Sequence, residues 1–281
     1  MIKSITLFVI TLFSFSLATA QAKLEKIKGS KIVTLAIKEI PNFDTIEVGD
    51  NFEIFLVKSD KPSIEIEADD NLQEIINYEV SGNVLKITAL KEPTSYKKFA
   101  IRINYSNTLQ LITARNEVEI KALADIELEK ITIKNYHNSK SFLNVKSNYF
   151  TLMLDDKAEA EINVKAESAN IELSKNSKLK ALVAATEFKL DMYQKSTALI
   201  EGSATNAKIR SDNSSHLTAP KFVIGTVEIE TDSTARCEIN ASIAITIAAA
   251  GKSQIELWGE QKITIKKLIN NASLQKKEKT N

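Results

Sequence analysis

"KNSKLKALVAATEFKLDMYQKSTALIEGSATNAKIRSDNSSHL", residues 175–217, says one phrase twice and begins it a third time. Each phrase is a polar triplet, an alternating run, a few small residues and a second alternating run. Aligning the residue that opens each phrase gives Ser139, Ala158, Ser177, Ser196, Ser215, Ser233 and Ser253, with steps of 19, 19, 19, 19, 18 and 20. The middle of the other run gives Ile133, Leu152, Ile171, Leu190, Ile209, Ile229, Ile247 and Ile265, with steps of 19, 19, 19, 19, 20, 18 and 18. Self-similarity at a short fixed period is the signature of a solenoid. Alternation with period two makes its elements strands.

Within one unit Ser177, Leu179, Ala181 and Val183 share a face, and Ile171 and Leu173 share another. Stacked turn upon turn, equivalent strands pair in parallel about 4.8 Å apart, so Ile/Leu/Val columns run beside Ser/Ala columns in a thin, flattened coil. Between strands come "DDK", "KNS", "YQKS", "DNSS", "TDS" and "GKS", where Asp, Asn and Ser bond their own backbone at each corner. A sandwich of hairpins would also alternate, but it gives no reason for two columns to keep one period. The expected fold is all-β: a single-chain parallel β-helix of about 19 residues per turn, preceded by shorter strands with a hairpin.

The remainder of the chain is read around that core. Residues 1–20 have a signal-peptide pattern: Lys3, the apolar run "ITLFVITLFSFSL" and the small-residue site Ala18-Thr19-Ala20 before Gln21. The apolar run falls short of the roughly 20 residues a membrane span needs. Residues 21–40 are a Lys-rich leader segment, and 41–108 form an N-terminal β region continuous with the solenoid. In it "FDTIEV", "NFEIFLV", "PSIEIEA", "YEV", "VLKIT" and "FAIRINY" alternate, "DDNLQEII" suits one helical turn, and Gly82-Asn83 marks a hairpin. The β-helix repeats occupy 109–266, and 267–281 is a polar C-terminal tail or cap, with "KKLINNASL" placed to cover Trp258.

Composition excludes several chemistries. Lys+Arg 37 against Asp+Glu 36 leaves a formal charge of +1, so no global field recruits nucleic acid or anionic membrane. A single cysteine, Cys237, rules out an intramolecular disulfide and a four-thiolate zinc site. It shares parity with Ala235 and Ile239, which reads as a small buried core residue. Gly 7 and Pro 4 are few for so many turns.

The candidate chemistry lies at the corners. Asp155, Ser174, Tyr193, Asp212 and Asp232 fall in one corner column, with Asp212 and Asp232 about one rung apart. Paired carboxylates can share acid and base work, whereas aspartates at corners ordinarily cap turns, and the turn reading is preferred. His216 adjoins Ser214 and Ser215, but no oxyanion elbow surrounds it. His137 in "NYHNSK" is likewise read as a solvated turn residue. Lys189, Asp191, Lys208, Arg210, Glu228 and Glu230 face outward as cross-strand charge pairs. No catalytic, cofactor-binding or metal-binding residue is assigned, and no cofactor is expected.

The stretch "NFDTIEVGDNFEIFLVKSDKPSIEIEADDNLQEIINYEVSGNVLKI", residues 42–87, followed by the repeats, resembles the putative auto-transporter adhesin, head GIN domain family. Phe43, Ile46, Val48, "EADDNL", Gly82, Asn83, Leu85 and Ile87 carry the likeness, which covers about residues 30–265. The resemblance implies a β-helix-like fold in an exported Gram-negative envelope protein, with no assigned catalytic residues. Here the family's glycine-rich opening is reduced to Lys28-Gly29-Ser30, and no translocator barrel is expected within these residues. The function read from the sequence is a non-enzymatic exported solenoid, structural or adhesive, in the periplasm or at the cell surface. Its partner would be an envelope protein or glycan, or another copy of itself, with no nucleic acid and no membrane span in the mature chain. The alternative is a carbohydrate-active β-helix enzyme using the corner carboxylates. A small-ligand binding module is disfavoured, because a thin core leaves no apolar pocket.

Overall fold

A computed structural model describes residues 24–278; the expected signal peptide at 1–20 lies outside the described residues. The N-terminal strands are β1 (Lys26–Lys28), β2 (Val33–Glu39), β3 (Thr45–Val48), β4 (Glu53–Lys58) and β5 (Ser63–Asp69). A single 3-10 turn (Asp70–Ile75) leads into β6 (Ile76–Ser81), β7 (Val84–Ala89), β8 (Glu92–Thr94) and β9 (Phe99–Tyr105). Then follow β10 (Leu111–Ala114), β11 (Glu119–Ala122), β12 (Ile126–Asn135), β13 (Lys140–Leu154), β14 (Glu159–Leu173) and β15 (Lys178–Met192). The chain continues through β16 (Thr197–Ser211), β17 (His216–Thr231), β18 (Arg236–Ala249), β19 (Gln254–Trp258), β20 (Lys262–Leu268) and β21 (Ser273–Lys276). The result is a parallel β-solenoid of about nine turns with about 19 residues per turn.

Each long strand serves two walls. Pairing between β13, β14, β15 and β16 is continuous except at residues 148, 167, 186 and 205, where the chain bends from a front wall into a back wall. On the back wall the isoleucine ladder runs in register from Ile133 through Leu152, Ile171, Leu190, Ile209, Ile229 and Ile247 to Ile265, as the spacing predicts. Members from Ile133 to Ile247 are buried, and each contributes about 1.5–3 kcal/mol from burial.

The front-wall column needs one correction. Ser139, Ala158, Ser177, Ser196, Ser215 and Ser253 are buried and stacked, but the place between Ser215 and Ser253 belongs to Ala235, not Ser233. Between Leu199 and Gly202 two residues of β16 face three of β17, so β17 bulges around Pro220. Proline has no N–H to give a ladder and is at home in a bulge. The extra residue lengthens that turn, and Ser233 moves out to the corner.

The corners follow one plan. The amide of Ser177 donates to Ser174 O at 3.3 Å, and Ser196, Ser215, Ala235, Ser253 and Ala272 repeat that four-residue turn. The second turn residue has positive φ in His137 (61°), Asp156 (65°), Lys175 (57°), Gln194 (51°), Asn213 (51°), Ser233 (58°), Gly251 (68°) and Asn270 (61°). Most are polar non-glycine residues. Asn and Asp tolerate this region because their side chains bond locally, which is how so few glycines serve so many turns.

The N-terminal strands do not stack in chain order. β3 lies between β7 and β10, and β4 between β9 and β11, all parallel. β6 and β7 form the expected hairpin through Gly82, and β5 and β2 add antiparallel strands beyond β9. Asp69 locks this end. Its buried carboxylate accepts the backbone amides of Lys31 (2.7 Å), Lys97 (3.0 Å) and Lys98 (3.0 Å). Burial works to raise this carboxyl, but those amides outweigh it and hold the group below its ordinary value.

Candidate binding surface

The corner column that carried the enzyme alternative is occupied by turn chemistry. Asp212 Oδ1 accepts the Asn213 amide at 2.6 Å, and Asp232 Oδ1 accepts the Ser233 amide at 2.6 Å. Asp155 accepts the Ser174 hydroxyl at 2.5 Å and the Lys175 ammonium at 2.9 Å. Burial pushes the Asp155 carboxyl up, yet these two partners prevail and keep it below the usual carboxylate range. A carboxylate held so is a turn brace rather than a proton donor near neutrality.

The histidines and the cysteine sit in equally ordinary surroundings. His137 Nδ1 accepts the Asn116 amide at 3.3 Å. His216 Nε2 lies 3.7 Å from Glu238 Oε1, while the buried Ser215 hydroxyl pairs with Ser211 at 2.7 Å. Ser215 and His216 therefore do not form a nucleophile–base pair. Cys237 is buried, and desolvation lifts its thiol to about 12, so it stays a thiol at neutral pH. Among the described residues no group of three or more His, Cys, Asp or Glu is placed to hold a metal ion.

Several shallow depressions mark the surface, and one of them is a groove on the outer face of the front wall. Two outward ladders cross β13 to β16 there: Phe142–Glu161–Lys180–Leu199 and Asn144–Asn163–Leu182–Glu201. Parallel register sets every member about 4.8 Å from the next. Together they line a groove of about 480 Å³. The Asn163 amide donates to Asn144 Oδ1 at 2.7 Å, and Lys180 lies 3.6 Å from Glu161. Leu182 and Leu199 are 53% and 39% exposed. The groove therefore offers fixed amide and carboxylate groups beside two solvent-facing leucines. It suits an elongated polar ligand with an apolar side.

Elsewhere outward charges of opposite sign stand across paired strands. Lys208 stands opposite Glu228 and Arg210 opposite Glu230, as expected from their spacing. Lys189 instead bridges Asp191 on its own strand at 2.6 Å, and Arg210 lies 5.6 Å from the Tyr193 ring centre. Sequence reasoning missed the groove, because the 19-residue period was read from inward residues, and the outward residues Phe142, Leu182 and Leu199 share no column of like side chains.

Residues 42–260 match the family described as putative auto-transporter adhesin, head GIN domain. The chain belongs to this family. Among solved structures, a putative adhesin from Parabacteroides merdae is 17% identical, with a TM-score of 0.65 over 90% of this chain and 100% of that one. A putative adhesin from Parabacteroides distasonis is 18% identical with a TM-score of 0.66, again over 90% and 100% of the two chains. A putative lipid binding protein from Parabacteroides distasonis is 17% identical with a TM-score of 0.61 over the same shares. These likenesses establish a shared fold. No curated protein matches the chain. Among the described residues no helix is long and apolar enough to cross a membrane.

Proposed function

We propose that this member of the head GIN domain family is an exported, non-enzymatic adhesive scaffold of the cell envelope, and that the front-wall groove is its contact surface for a protein or glycan. The observation that carries the reading is the pairing of exposed Leu182 and Leu199 with the Asn144–Asn163 amides on a rigid wall. A preformed surface loses little conformational freedom on binding. Export rests on the signal pattern of residues 1–20, and the adhesive role on the family. The corner aspartates support the non-enzymatic half, since each is committed to its own turn.

The test uses the mature chain from Gln21, immobilised against a glycan panel and envelope extracts. The parent should retain a specific ligand, and a Leu182→Asp/Leu199→Asp variant should lose it while melting like the parent. Equal retention by both proteins would remove the groove from the account. Intact mass of protein taken from the envelope should place the N-terminus at Gln21; a membrane-embedded product still carrying Met1 would remove the argument for a soluble mature chain.

A further inference from the structure

The two ends of the solenoid are finished differently. At the N-terminal end the 3-10 turn packs against β5 and β6 with Leu72 and Ile75 buried. At the C-terminal end β19 and β20 are the two halves of one turn, both paired to β18, and β21 begins the next turn on β19. The front wall therefore stands one strand beyond the back wall, which makes a step with β20 as its floor. Ile263, Ile265 and Leu268 continue the inward ladders of Ile245, Ile247 and Ala249 onto that floor. Ile265 is 49% exposed where Ile247 is 0%, and Ile263 and Leu268 are exposed as well. On the facing wall Leu274 of β21 continues the inward ladder of Ile255. Terminal turns of solenoids ordinarily present a polar outer face.

Three features of β20 specify what fits the step. Among the described residues it pairs with β18 alone, so the amides and carbonyls of its outer edge can template one further strand. Its inward side is aliphatic. Its outward side is basic: Lys262 and Lys267 stand opposite Ala244 and Ala248, with Lys266 in the register shift between them. Lys266 answers Glu228 at 3.2 Å, whereas among the described residues Lys262 and Lys267 take part in no ion pair. Residues 261–277 hold five lysines and no Asp or Glu; Glu260 and Glu278 lie just outside.

Lysines on an edge also guard it against unwanted pairing, and guarded edges often add a charge that points inward. β2, the free edge of the front wall at the opposite end, has that mark, since Lys38 stands opposite buried Ile64. β20 lacks it. Its lysines repel a second β20, and they repel β2 of a second copy, which is flanked by Lys31 and carries Lys38. They match a strand that is apolar on one side and acidic on the other. We propose that β20 is the acceptor edge for a single extended segment of another protein, alternately apolar and acidic, which completes the last turn by strand addition. This contact is independent of what the groove binds.

Fluorescence anisotropy tests this with the mature chain from Gln21 and a labelled, end-blocked octapeptide of alternating Val and Glu. The parent should bind this peptide, less tightly as salt rises, and should ignore an octapeptide of alternating Val and Lys. Amide hydrogen exchange over residues 262–268 should slow when the acidic peptide is added. Each cross-strand charge pair is worth up to about fivefold in affinity. Lys262→Glu/Lys267→Glu should therefore weaken the acidic peptide at least about tenfold and gain the basic one, with the parent's circular dichroism and melting. Ile265→Lys should weaken the acidic peptide by a similar factor. No binding by the parent at about 1 mM peptide overturns the proposal and leaves the lysines as edge guards. Sedimentation with phosphatidylglycerol vesicles in the absence of peptide binding would overturn it in favour of a lipid surface. Self-association of the parent that Ile265→Lys abolishes would overturn it in favour of a second copy.

Discussion

Gly202, with Gly259, is one of the two tightest glycines in the described residues, and replacing it with alanine should be among the most damaging single-methyl changes in the molecule. Its φ is 110°, and a Cβ there would stand 2.1 Å from Val183 O and 3.0 Å from Val183 C. Those atoms belong to the paired strand β15, so they cannot swing aside as the tip of a side chain could. Forcing a non-glycine residue into that φ region costs about 1–3 kcal/mol, and overpacking adds about 1–3 kcal/mol. The narrower unfolded ensemble of alanine returns about 0.4–1 kcal/mol. The expected net loss is therefore about 3 kcal/mol, a large share of the roughly 5–15 kcal/mol that holds a domain together. Gly49→Ala is the control: φ there is not left-handed and nothing lies within 4 Å, so it should be neutral or slightly stabilising. Urea unfolding followed by circular dichroism reads both. Solenoids can open locally, so amide hydrogen exchange over β15 to β17 should accompany it and show lost protection in Gly202→Ala. A Gly202→Ala midpoint and exchange profile equal to the parent's would refute the reasoning.

Strand parity gives a second pair: Ile200 is 0% exposed and Leu199 is 39% exposed, so Ile200→Asp should cost several kcal/mol or prevent folding while Leu199→Asp melts like the parent. The Ser177 and Ser196 hydroxyls are buried without partners, so Ser177→Ala and Ser196→Ala should be neutral or stabilising. Ser253→Ala should cost about 1 kcal/mol, because that hydroxyl donates to Ala250 O and accepts from Thr231; equal melting shifts for the three would contradict this. Asp69 is held below its ordinary value of 3.8, so its stabilisation is complete above that value and fades as pH falls below it. Asp69→Asn should accordingly melt below the parent at neutral pH, with the gap closing in acid; a gap that widens in acid would reverse the sign argued for it. The double change Asp212→Asn/Asp232→Asn should leave melting and ligand capture unchanged, as an amide oxygen still braces the turn. Sugar release by the parent that disappears in this variant would restore the carbohydrate-enzyme alternative.

What was legible in the sequence is what repeats. The Ile133-to-Ile265 ladder was readable because bulky inward residues leave a hydrophobic mark at every turn. The column through Ser215 was readable only to that point. Ser233 and Ala235 are both small, and the residue that shifts them is absorbed 13 positions away from Ser233 in the bulge at Pro220, where alternation is locally broken. β2 left little trace, since Leu35 and Ile37 are exposed and Lys38 interrupts its apolar pattern. The interleaving of β3 between β7 and β10 had no local mark at all, because parallel pairing is set by contacts far apart in the chain. The groove was invisible for a related reason: outward positions answer to neighbours 19 residues away, and solvent imposes no period on them.

The uniform corner turn also governs how the protein can change length. Because each turn meets only the turns above and below, a duplicated or deleted segment of one full period returns the chain to the same corner, with every inward residue still inward. Loss or gain of a single residue inverts the faces of all that follows, unless a bulge such as that at Pro220 takes it up. Reach is thus quantised, in steps of about 4.8 Å per turn, and relatives of different length should differ by whole turns, with their faces otherwise preserved.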